Sequence, residues 1–179
     1  EAQAFIAPWQ DEIPTPGYFS ARTAVLYLMV GDAAGYMAGM RTAYAQAGDS
    51  PTTRIDYALA EARFGDPQLA ADLLAGMAPE TIPPLGLPFV AWIRGLVARP
   101  RGEPEAVEKL AQAVDLMAAS GDNPAFWVTQ ALCVGAYAAA LLETGRLEAA
   151  RQAVAQVWPV LQVHGDAALL ADLAAIRPQ

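Results

Sequence analysis

Apolar residues return along this chain in steps of three and four, and nowhere in a sustained alternation of two, so the pattern predicts helices and no sheet. The predicted helices cover roughly 18–30, 33–47, 51–64, 67–77, 88–99, 104–119, 124–143, 147–163 and 166–176. Ser50-Pro51 and Asn123-Pro124 read as helix starts, a capping side chain followed by a proline whose missing N–H is harmless in the first turn. Pro159 falls inside the eighth segment and is expected to kink it or end it after Trp158. The one long connection, residues 78–87 (APETIPPLGL), is rich in proline and splits the helices into two groups.

The helices come in pairs. VLYLMVGDAAGYMAGM, ALAEARFGDPQLAADLLAGM, GLVARPRGEPEAVEKLAQAV and AALLETGRLEAARQAVAQV each run from an apolar helix through a glycine beside a charged residue into a second, amphipathic helix. The turn glycines Gly31, Gly65, Gly102 and Gly145 recur at intervals of 34, 37 and 43. Reversing between antiparallel helices in so few residues predicts a left-handed backbone at each of them. Asp32 and Asp66 stand where a side chain can accept N–H bonds from the helix that follows. The second helices repeat a small residue, then a large apolar one four later, then another core residue three later. The sets are Tyr36–Met40–Ala43 (the loosest), Ala70–Leu74–Met77, Ala106–Leu110–Ala113 and Ala150–Val154–Val157, each confined to one helical face. The first helices carry Ala24-x2-Tyr27, Gly95-x2-Ala98 and Ala138-x2-Leu141, a pattern that Ala58-x2-Glu61 breaks.

In these features residues 18–164 resemble the tetratricopeptide-repeat (TPR) family, whose 34-residue helix–turn–helix unit carries a small-x3-large element in its second helix. ALLETGRLEAARQAV is the closest match to that turn and second helix. The resemblance implies an all-α fold: about four TPR-like units (18–47, 51–77, 88–119 and 124–164) stacked as a short right-handed α-solenoid. A capping helix at 166–176 and a Pro-rich extension at 1–17 complete the expected organisation. Such a stack binds proteins on a concave face lined by the first helix of each unit. Counting back from each turn glycine places Tyr18, Ala21, Val25, Leu28, Ile55, Leu59, Ala62, Phe89, Trp92, Leu96, Arg99, Leu132, Gly135, Ala139 and Leu142 there. The face offers no cation beyond Arg99 and Arg63, so the carboxylate clamp of some TPR domains is not expected.

An exposed apolar groove marks a binding surface, whereas with only four units the same residues are open to an ordinary closed core instead. Its expected occupant is a partner's amphipathic helix, a second copy of the chain, or the chain's own N-terminal segment, in which Phe5 and Trp9 stand among prolines. The resulting expectation is a non-enzymatic interaction or scaffold domain of a larger or processed protein, since the sequence opens on Glu1 and not on Met. The alternative is a ligand- or peptide-sensing domain of a bacterial transcriptional regulator, because degenerate arrays of this kind occur in large ATP-dependent LuxR-type regulators. A pocket lined by Trp92, Trp127 and Tyr137 would favour it.

Composition narrows the field further. The 179 residues are 55% hydrophobic and 17% charged, with net charge −8, which fits a packed domain and excludes a nucleic-acid binder. The single cysteine, Cys133, and the single histidine, His164, leave no disulfide and no Cys- or His-based metal centre. No phosphate loop, nucleophile elbow or zinc-protease motif occurs, so no catalytic residue, cofactor or metal is expected. Gly31, Gly35 and Gly39 are spaced for one helix face and read as a close-packing stripe; Cys133 reads as an inert core residue. His164 reads as a helix C-terminal donor, and Glu103, Glu105 and Glu108 as a solvated helix face. Residues 123–142 carry no charge over 20 positions, yet acidic flanks and many alanines point to a buried helix and not to a membrane span. Without a secretory signal in residues 1–16, the cytoplasm is the expected compartment.

Overall fold

A computed structural model describes residues 17–120 and 127–177, leaving aside the side chains of Tyr18, Phe19 and Arg22. The helix start at Asn123-Pro124 and the packing of the segment before Gly17 lie outside the described residues, as does the Tyr18 side chain. Among the described residues there are ten α-helices and no strand. They are α1 (Tyr18–Met29), α2 (Ala33–Ala47), α3 (Pro51–Phe64), α4 (Pro67–Ala75), α5 (Leu87–Ala98), α6 (Glu105–Ala119), α7 (Trp127–Glu143), α8 (Leu147–Val154), α9 (Trp158–His164) and α10 (Ala167–Asp172). Two compact units divide between Gly86 and Leu87, inside the proline-rich connection.

In the first unit each helix packs on the next, α1 on α2, α2 on α3 and α3 on α4, and α1 also touches α3. The α1–α2 pair is close because it lacks side chains where it crosses: a Cβ on Gly39 would sit 2.7 Å from that of Ala24. A Cβ on Gly35 would meet the Tyr27 ring at 2.7 Å. Gly35 and Gly39 thus serve close packing, whereas Gly31 belongs to the turn. Tyr36, Met40 and Ala43 are all buried. In α4 the buried pair is Ala70 and Leu73; Leu74, expected in the core, is only half-buried, and the helix ends at Ala75 and not at residue 77.

In the second unit α7 is central, with α6, α8, α9 and α10 packed around it. This accounts for its lack of charge, since Ala131–Ala136 and Ala138–Leu141 are all buried. Among the described residues no helix is long and apolar enough to cross a membrane. Ala106, Leu110 and Ala113 are buried, with Leu110 against the bare face of Gly95, and Ala150 and Val154 are fully buried. The segment predicted as one helix over 147–163 is two, α8 and α9. The break falls at 155–157, so that Pro159 stands in the first turn of α9, where no N–H bond is lost.

Three of the four interhelical glycines are left-handed: Gly31 at φ 77°, Gly102 at 65° and Gly145 at 74°. At each, the next residue donates its N–H to the carbonyl five residues back: Asp32 to Tyr27 at 2.9 Å, Glu103 to Ala98 at 3.2 Å and Arg146 to Leu141 at 2.9 Å. Gly65 departs from the expectation, with φ −127°. There the Asp66 N–H goes to the side-chain carboxylate of Glu61, also five residues back, at 3.0 Å. Gly65 is needed for space, because a Cβ would collide with that carboxylate. The residue that broke the first-helix pattern is therefore the one that closes its turn by a different bond. Asp32 caps α2 through Gly35 N–H at 2.8 Å and Asp66 caps α4 through Gln68 N–H at 2.8 Å, but the Ser50 side chain makes no capping bond.

Candidate functional site

The residues counted onto a concave face separate by burial. Ile55, Leu59, Trp92 and Leu132 are interior, at most 5% exposed. They are core of the chain itself and not the floor of an open groove, so no partner reaches them without repacking. The short first helices bury more of their circumference than a single groove-facing stripe predicts. Val25, Leu28, Ala62, Phe89, Leu96 and Leu142 are half-buried, while Ala21, Gly135 and Ala139 are buried. Trp92 is interior and Trp127 is 60% exposed, so these two do not line one enclosed pocket. Tyr137 is half-buried on the outer side of α7.

Arg99 follows α5 directly, in the 3-10 turn Arg99–Arg101. Its Nε and Nη2 donate to one Glu143 oxygen at 3.0 and 2.8 Å, and Nη2 also donates to Asp172 at 2.6 Å. Burial opposes the charge, but these two carboxylates outweigh it and hold the guanidinium above its ordinary range. Its side chain is 18% exposed. Arg99, foreseen as a cation of the binding face, is thus occupied within the chain, tying the C-terminal ends of α5 and α7 to α10.

A second polar cluster lies between α2 and α3. The Glu61 carboxylate, 3% exposed, takes the Asp66 N–H and pairs with the exposed Arg41 at 3.5 Å. The Tyr57 hydroxyl stands between them, bonded to both, and its ring stacks on Tyr44 with centroids 4.8 Å apart. Burial, followed by the bond to Glu61, raises the Tyr57 hydroxyl above the usual phenol range. Nearby, Tyr36 meets Phe64 edge-on at 5.8 Å, and the Arg63 guanidinium lies 4.5 Å over the Phe64 ring. Burial drives the Tyr36 hydroxyl far up, with Arg63 opposing.

Sequence reasoning missed Glu61, Glu143 and Asp172. Only Glu61 left a signal, as the charge where its three counterparts are uncharged. Cys133 is buried in α7, and His164 is the last residue of α9. Glu105 and Glu108 are exposed and Glu103 is partly so. Among the described residues no group of three His, Cys, Asp or Glu side chains converges as a metal set. No family model, curated protein or solved structure matches this chain.

Proposed function

We propose that the chain is a non-enzymatic protein-interaction module built from TPR-like helical hairpins. On this reading the second unit receives a partner's helix on the side where Arg99 and Glu143 join the ends of α5 and α7. The observation that carries it is the neighbourhood of first helices. Within the first unit α1 touches α3, and within the second Arg99 joins the end of α5 to the end of α7. Hairpins in register, first helix beside first helix, are what a repeat stack requires. The half-buried Phe89, Leu96 and Leu142 give that side apolar area without the interior residues. A helix laid across such a surface gains burial through leucine-type anchors at helical spacing. A cytoplasmic setting goes with this reading.

The test is a display selection of amphipathic-helix peptides on the purified full chain, followed by affinity measurements. Selected peptides should lose at least about tenfold in affinity to Phe89→Ser and Leu142→Ser chains that retain native circular dichroism, as truncation of apolar anchors does. No enrichment, or binding indifferent to both substitutions, would overturn the reading.

A further inference from the structure

We draw no further inference here: the strongest candidate, the side-chain cluster of Arg41, Tyr57 and Glu61 between α2 and α3, carries nothing because its carboxylate is taken up within the chain by the Asp66 N–H, Arg41 and Tyr57, and no second observation among the described residues points to a ligand there.

Discussion

Replacing Gly39 by alanine sets two effects of known sign against each other. In the middle of α2, glycine to alanine favours the helix by about 1 kcal/mol. The added methyl, however, would lie 2.7 Å from the Ala24 Cβ, 3.2 Å from its Cα and 3.5 Å from the Ser20 carbonyl oxygen. Carbon atoms rest about 3.5–4.0 Å apart, and neither alanine nor main chain has a rotamer through which to yield. Helices α1 and α2 must therefore separate, an overpacking cost of about 1–3 kcal/mol. The expected net result is a loss of about 1 kcal/mol in urea denaturation followed by far-UV circular dichroism. Ala24→Gly alone destabilises by about 1 kcal/mol through lost propensity. Combined with Gly39→Ala it returns the methyl to the crossing, so the pair should couple favourably by about 1–3 kcal/mol. Gly135→Ala is the control, because its methyl meets only movable leucine methyls at 3.0 and 3.2 Å, and it should be neutral or gain up to about 1 kcal/mol. Additive Ala24 and Gly39 variants, or a Gly39→Ala chain more stable than wild type, would refute the close crossing.

The remaining expectations follow from single sites. Ala150→Leu should cost about 1–3 kcal/mol, since Ala150 is fully buried in α8; a neutral result would remove it from the interhelical contact. Asp66→Ala should cost about 1 kcal/mol by deleting the cap bond to Gln68, and Asp66→Asn should restore most of it in the same denaturation assay. Alkaline stability follows from Tyr36 and Tyr57, whose hydroxyls are raised above the ordinary phenol value of 10.0 by burial first. Only the unfolded chain ionises just above that pH, so their contribution is intact below it. Above it, stability declines by up to about 1.4 kcal/mol per pH unit for each tyrosine until the folded hydroxyl ionises. Tyr36→Phe should flatten the decline, and a Tyr36 that ionises before unfolding in an ultraviolet titration would contradict its burial.

Local chemistry made most of the helices legible. Caps at Asp32 and Asp66, glycines at three left-handed turns and the uncharged run of α7 are written within a few residues of where they act. The binding face was less legible because counting in helical steps identifies one side of a helix but not what covers it. In α5 and α7 the counted side is largely filled by the chain itself, so Trp92 and Leu132 became core. Arg99 stood out in the sequence as a lone cation, but its partners Glu143 and Asp172 lie 44 and 73 residues away, beyond any spacing rule. The Glu61 turn was half legible: the break in the pattern was visible, while its cause, a carboxylate replacing a carbonyl five residues before Asp66, required the fold. Proline placed the α8–α9 break near Trp158, and the chain ended α8 a few residues earlier so that Pro159 could start the next helix.

The most direct test of the account is a methyl NMR footprint of the tightest display-selected helix on the full chain. Binding on the side shared by α5 and α7 predicts shifts at Leu96 and Leu142, with little change at Leu69 of α4 or Leu147 of α8. A footprint centred on Leu147 or Leu69, with Leu96 and Leu142 unmoved, would contradict it.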